Sequence, residues 1–360
     1  MSLTIALDCR PLQEAEPTGI ATYVSALRRQ LLIEPNVQLK TFSIGNQSPT
    51  QITSPEHTHY SVPGKLFNFL SALNIDCLPR NPIAEIYLLP HPTFWPIRRK
   101  PYILTIHDLA FIERPYYYNL RQRLWHRTIN FQRLAENAAA LVCVSEATKA
   151  RLLQLYPQLK AKPLATIHEG LVTTELTDYQ ERAILSRLQL PDKYLLYLGT
   201  IEPRKNLPSL LAAWQLVHRL RPEIHLVIAG KYGWSSQTVI RRLLVDKNIR
   251  WLQYISDEEK SILYRRAQAF VWPSWYEGFG FPPLEAAYWG TPVITSWSTA
   301  LPEMLINRAH YVNPYNYKEL ADCLLQILDQ PREERLSKEL AAQFNWGTAT
   351  KALIKFIESL

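Results

Sequence analysis

Residues 269–296 read AFVWPSWYEGFGFPPLEAAYWGTPVITS, and their order sets the pattern for the whole chain. AFVWPS (269–274) and PVITS (292–296) are short apolar runs of the kind that a strand buried on both faces requires. Between them come a glycine-containing loop and the stretch LEAAYWG, which predicts a helix. Pro282 and Pro283 fit the first turn of that helix, where an amide hydrogen has no intrahelical partner in any case. Strand, loop, helix, strand is the unit of a parallel sheet covered by helices on both faces. The loop carries Glu277 and the helix carries Glu285, which this reading places in the first helical turn.

The same unit recurs in both directions along the chain. Upstream in the second half it appears as YLLYLGT (194–200), a helix near 207–220, IHLVIAG (224–230), IRWLQ (249–253) and a helix near 257–268. The first half offers TIALD (4–8), a helix after Gly19, EIYLL (85–89), YILTIHD (102–108), one long helix from about 119 to 138, ALVCVS (140–145), a helix opened by Ser145 with Thr148, and PLATIHEG (163–170). VTTELTDYQERAILSRLQLP (172–191) is polar, with a short helical patch and no strand pattern. The expected fold is α/β: two doubly wound Rossmann-like domains facing a central cleft. Their expected limits are 1–172 for an N-terminal domain, 173–192 for a linker and 193–342 for a C-terminal domain. A terminal helix, 343–360, packs through Trp346, Leu353, Phe356 and Ile357 and is expected to return to the first domain. Sheets of this kind bind ligands outside the carboxyl ends of their strands.

Composition narrows the function classes. Of 360 residues, 47% are hydrophobic and 20% charged, which suits core-forming domains rather than disorder. No run approaches the roughly 18 apolar residues of a membrane span, and MSLTIALDCRPL lacks a basic stretch followed by a long apolar core. Cys9, Cys77, Cys143 and Cys323 are scattered, with no metal-ligand spacing. A cytoplasmic chain with reduced cysteines is expected. The net charge of +8 is compatible with nucleic acid, an acidic membrane face or a phosphorylated small substrate. Only 11 glycines occur, well below the usual share of about 7%, and six of them fall beside predicted strand ends or helix starts.

Several side chains at those strand ends are candidates for chemistry, each with a plainer reading beside it. The amides of the 277–281 loop and the following helix N-terminus favour an anion such as a diphosphate. Glu285 could equally be an acidic residue favoured by the helix dipole, and the two glutamates could be a glycosidase pair. In YLGTIEPRKN, Arg204 and Lys205 follow a strand and could neutralise a diphosphate, or form an exposed basic turn. His107 and Asp108 close a strand in YILTIHDLAF, where a histidine is as often structural as catalytic. Gly19 opens a helix and could let backbone approach a phosphate, or serve only a turn. There is no Walker sequence, no complete dinucleotide fingerprint and no Asp-x-Asp. Chemistry without a metal, driven by basic side chains and dipoles, is therefore expected, with no cofactor.

Taken together, SDEEKSILYRRAQAFVWPSWYEGFGFPPLEAAYWGTPVITSWSTALPE, LGTIEPRKN and AGKYGW, with TGIATY, HDLAF and FNWGTAT, resemble the retaining glycosyltransferases of the GT-B superfamily, the family 4-like group of bacterial mannosyl- and glucosyltransferases. The likeness covers nearly the whole chain. It implies that Glu285 binds the ribose hydroxyls of a nucleotide-sugar donor and that Glu277 lies near the donor sugar. It implies that Arg204 and Lys205 hold the diphosphate and stabilise its departure, and that the amides of Phe279, Gly280 and Phe281 contact sugar or phosphate. It further implies that His107 touches the transferred sugar, that Gly19 approaches the phosphates, and that the base lies near Tyr254 and Ile255. Two departures stand out: Ala21 replaces a second glycine of the first loop, and His168-Glu169-Gly170 replaces the usual Asn-Gly or Pro-Gly.

The implied acceptor is a saccharide or a lipid-linked saccharide. RPYYYNLRQRLWHR (114–127) and PIRRK (96–100) mix arginines with aromatics and suit an anionic membrane surface, with the alternative of a basic helix covering its own core. A non-catalytic nucleotide-sugar or nucleic-acid binding protein is the rival class, although no RNA-binding motif is present and nucleic acid is not expected. A glycoside phosphorylase would need a pyridoxal phosphate lysine in a longer chain.

Overall fold

The computed structural model describes residues 3–13, 19–50, 52, 57–78, 83–96, 101–234, 237–330 and 337–360. The chain forms two compact units, one comprising 1–111, 120–170 and 344–360, the other 112–119 and 171–343. The first holds seven parallel strands: β1 (Leu3–Asp8), β2 (Val37–Ile44), β3 (His57–Tyr60), β4 (Ile86–Leu89), β5 (Tyr102–Ile106), β6 (Ala140–Cys143) and β7 (Leu164–Thr166), in the order β3-β2-β1-β4-β5-β6-β7. The second holds β8 (Tyr194–Leu198), β9 (His225–Ala229), β10 (Ile249–Leu252), β11 (Ala269–Trp272), β12 (Val293–Ser296) and β13 (His310–Val312), also parallel, in the order β10-β9-β8-β11-β12-β13. Every residue of β4, β5, β6, β8, β11 and β12 is buried, as their unbroken apolar sequences require of strands covered on both faces.

Chain direction across each sheet reverses beside its first strand, at β1/β4 and at β8/β11. This is the topological switch point, where the loops leaving neighbouring strands part and open a crevice at the carboxyl ends. In the second unit the two loops are the one after β8, ending in Pro203–Lys205, and the one after β11, leading to the helix Phe281–Tyr288. The fold thereby brings the 199–206 and 273–280 segments together.

Three strands escaped the sequence reading. VQLKTFSI of β2 interleaves polar with apolar residues, HTHY of β3 is polar throughout, and HYV of β13 is very short; β3 and β13 are edge strands. The long helix expected over 119–138 is two helices, Leu120–Ile129 and Phe131–Asn137. Asn130 breaks it by adopting a left-handed conformation (φ 52°) while its side chain accepts a hydrogen bond from the Arg133 amide. The polar stretch after residue 172 contains the helix Asp178–Leu188, started by a reciprocal Thr177–Gln180 cap. The closing helix, Trp346–Glu358, belongs to the first unit and buries Trp346, Leu353, Ile354 and Ile357.

Candidate active site

The loop after β8 leaves through Gly199, whose φ of 156° and close approach to the Trp272 indole exclude a side chain: a Cβ there would lie 2.5 Å from that ring. The chain then turns through Pro203–Lys205 to Asn206, which is left-handed (φ 56°) and fully buried. Its amide Nδ2 donates to the carbonyls of Pro273 and Pro314 at 3.0 and 2.7 Å, tying this turn to the loop after β11. The Arg204 carbonyl accepts from the Trp275 amide (2.8 Å) and the Ser274 hydroxyl (3.0 Å), which completes the seam.

This seam places Lys205 against Glu277. The Lys205 ammonium donates to both carboxylate oxygens, at 2.7 and 2.9 Å, and lies 4.7 Å from the centre of the Trp272 ring. Trp272 Nε1–H donates to the same carboxylate at 2.9 Å. Glu277 is fixed by its backbone as well, since Thr299 Oγ1 accepts from its amide and donates to its carbonyl. Arg204 Nε donates to Glu202 at 2.5 Å, and Glu202 is itself buried.

Burial opposes charge on Glu277, but the Lys205 ammonium and Arg204 guanidinium outweigh it and hold the carboxyl below its usual range. For Lys205, burial and then the neighbouring Arg204 charge lower the ammonium's pKa, with Glu277 working against them. The two directions pull oppositely on the state of the pair. The fall at Glu277 decides it, because the Lys205 ammonium and the Trp272 N–H both donate to that carboxylate with the Arg204 charge nearby, so the pair is ionised.

Glu285 does not lie in the first helical turn. The helix begins at Phe281, one residue before the two prolines, so Glu285 is its fifth residue. There it accepts from the Tyr264 hydroxyl at 2.9 Å, and burial raises its pKa although Lys260 and Tyr264 act in the other direction. Gly280 precedes the helix with φ 96°, and a Cβ at that position would come within 2.7 Å of Leu301. Phe279 is buried and packs on Phe281, ring centres 4.9 Å apart. Tyr254 is exposed whereas Ile255 is buried, so the two side chains do not form one surface.

His107 and Gly19 belong to the first unit. Gly19 is the first residue of the helix Gly19–Leu31, and a Cβ there would meet nothing within 4 Å. His107 follows β5; its Nδ1 lies 2.8 Å from Glu169 and its Nε2 2.7 Å from the Pro90 carbonyl. Of the aromatic segment 114–127, Tyr117 is buried with its ring stacked on Trp275 and Tyr118 stacks on Trp234, so these rings are committed to the second unit. Residues 97–100 of PIRRK lie outside the described residues. Among the described residues no group of three or more His, Cys, Asp or Glu side chains could hold a metal ion.

The sequence names Glu277, Glu285, Arg204 and Lys205 as candidates but does not single out Glu202, Trp272, Thr299, Tyr264 and Lys260, which the structure places around them. Glu202 was visible two residues before Arg204. Trp272 looked like one more strand aromatic.

Residues 182–343 match the family described as Glycosyl transferases group 1, and residues 47–175 match Glycosyltransferase Family 4. The chain is 31% identical to the O-antigen chain mannosyltransferase B of Escherichia coli, over 94% of this chain and 95% of that one. Among solved structures it is similar to a sucrose-phosphate synthase from Thermosynechococcus elongatus, with a TM-score of 0.75, 19% identity and coverage of 99% of this chain and 98% of that one. It is also similar to Anabaena HepE in complex with UDP and glucose, with a TM-score of 0.71, 13% identity and coverage of 99% and 100%.

Proposed function

This chain belongs to the family 4 glycosyltransferases that carry a group 1 domain, with the GT-B fold, and from that premise we propose that it is a retaining hexosyltransferase moving mannose from a nucleotide-diphosphate sugar to a saccharide or lipid-linked saccharide. The observation that carries the reading is the Lys205–Glu277 pair, with Arg204 next to it in the chain, at the switch point of the second sheet and beside a helix N-terminus. Mannose is favoured because the Escherichia coli relative is named for it.

In this account Glu285 accepts from the ribose hydroxyls, and the amides of Phe279, Gly280 and Phe281 meet sugar or phosphate. The base lies by Tyr254 and Ile255. Glu277, held in place by Lys205, Trp272 and Thr299, receives hydroxyls of the donor sugar. As the bond from sugar to diphosphate breaks, negative charge grows on the leaving oxygen, and Arg204 with Lys205 stabilises it. Protein cations and helix amides supply that stabilisation, and no metal or cofactor is assigned a part.

Membrane association is supported by the helix Leu120–Ile129, which exposes Leu120 and Leu124 beside Arg121 and Arg127. The helix Gly64–Ala72 exposes Leu66 and Phe69, and the two helices approach common neighbours: Arg10 lies over Phe67 and donates to the Phe94 carbonyl, while Phe94 packs edge-on against Trp125. Vesicles containing anionic lipid should carry the protein upward in a flotation gradient at low salt. Retention at the bottom would remove this part of the proposal.

The transfer itself is tested by NMR of donor mixtures with a saccharide acceptor. The expected outcome is consumption of GDP-mannose, or of another nucleotide hexose, with the product keeping the donor's anomeric configuration. Inverted product would refute retention, and inertness toward GDP-, UDP- and ADP-sugars would refute the substrate class.

A further inference from the structure

Glu169 has no part in the donor clamp, yet its placement is unusual. It is 2% exposed, and among the described residues neither carboxylate oxygen accepts a hydrogen bond. Its compensation is the His107 ring, whose Nδ1 approaches Oε1 at 2.8 Å but outside hydrogen-bond geometry, so the contact is an ion pair. The other ring nitrogen, Nε2, is 2.7 Å from the Pro90 carbonyl, which can only accept. Both nitrogens therefore face acceptors, and only the imidazolium carries a hydrogen on each.

The surroundings keep the ring in this pose. Tyr23 packs edge-on against it with centres 4.9 Å apart, and Thr148 Oγ1 donates to the His107 carbonyl at 3.3 Å. The titratable groups facing it are Glu169 after β7, Asp108 beside it, His91 from the loop after β4 and Tyr23 from the first helix. Burial pushes the His91 ring down to about 4, so that ring is neutral near pH 7 and does not repel a cation. At His107, burial alone would favour the neutral ring, but Glu169 and then the Pro90 carbonyl outweigh it, and the net direction is upward.

We infer that Glu169 is a positioning residue that holds His107 as an imidazolium with both ring nitrogens facing acceptors, making the ring a fixed positive charge at the carboxyl end of β5. So held, His107 cannot serve as a general base. Its functional value rests on the transferase reading above: a fixed cation at this strand end favours negative charge on substrate bound to the first unit.

The test is an NMR titration of isotope-labelled histidines in the full chain, paired with transfer kinetics. In the unaltered protein His107 should titrate above the ordinary histidine value of 6.5. Glu169→Gln should lower that midpoint by about one pH unit or more, and Glu169→Asp should restore part of it. Glu169→Gln should also cut kcat by at least roughly tenfold with the donor KM little changed, the loss growing as pH rises through the lowered midpoint. A midpoint at or below the ordinary value in the unaltered protein, or one unmoved by Glu169→Gln, overturns the pairing; the former needs no variant to fold. A moved midpoint with unchanged kcat and pH profile overturns the positioning role. If no nucleotide sugar is consumed at all, the transferase reading fails, while the titration still decides whether the pair exists.

Discussion

Lys205 and Glu277 are each buried at a cost that only the partner offsets, which makes their separate removal unequal to their joint removal. Lys205→Met should destabilise the protein by roughly 3–5 kcal/mol in urea unfolding, because Glu277 is left charged and dry. Lys205→Met with Glu277→Leu should recover most of that loss. Losses in the double variant equal to the sum of the single ones would contradict a direct pair. Glu277 titrates below its ordinary value of 4.5 in the folded chain, so its stabilisation is present above that pH and disappears as pH falls through the folded value. Glu285 behaves oppositely: burial raises its carboxyl, and donor affinity should weaken as pH falls toward that raised value. Calorimetry at several pH values should show this dependence, and Glu285→Gln should flatten it. At this scale the sequence made the charges legible but not their partners. Nothing in AFVWPS distinguishes Trp272 as a hydrogen-bond donor to Glu277, because the contact depends on how the loop after β11 folds back over the end of its own strand.

Elements that are buried on both faces announce themselves by composition, and β5, β6, β8, β11 and β12 were legible for that reason. β2 and β3 were not, because strands near a sheet's rim tolerate polar residues on one or both faces. The break at Asn130 was missed because a single left-handed residue leaves the helical periodicity almost intact. Two glycines at helix starts now part company. Gly280→Ala should cost about 1–3 kcal/mol, since its φ of 96° and the nearby Leu301 both oppose a methyl group. Gly19→Ala meets no atom within 4 Å and should leave the stability unchanged or raise it by up to about 1 kcal/mol, read as an equal or slightly higher melting temperature. If the Gly19 backbone approaches donor phosphates, that same variant should weaken donor binding at full stability. Unaltered binding would assign Gly19 to the turn alone.

For the whole molecule, each sheet has its own switch point, and each unit carries an ion pair with a buried carboxylate beyond its strands' carboxyl ends, Lys205–Glu277 in one and His107–Glu169 in the other. The pairs respond to opposite ends of the pH scale. The folded value of His107 is raised, so its contribution is complete below the ordinary value of 6.5 and is lost as pH climbs through the folded value, while that of Glu277 is lost in acid. Thermal melts across pH should therefore show stability falling away on both sides. The repeat of strand, loop and helix made two sheets legible, but the assignment of residues 112–119 to the second unit depends on ring stacking at Trp275 and Trp234 that no local pattern encodes. The central claim is that the second unit binds a nucleotide-diphosphate sugar at Arg204, Lys205, Glu277 and Glu285. Thermal unfolding with GDP, UDP and ADP and their sugar conjugates, in the unaltered chain and in Glu285→Ala, tests it most directly. The account predicts stabilisation by one nucleotide class, about 2.7 kcal/mol at a hundred times its Kd, and loss of that stabilisation in the variant. No stabilisation by any nucleotide, or equal stabilisation of the variant, would contradict it.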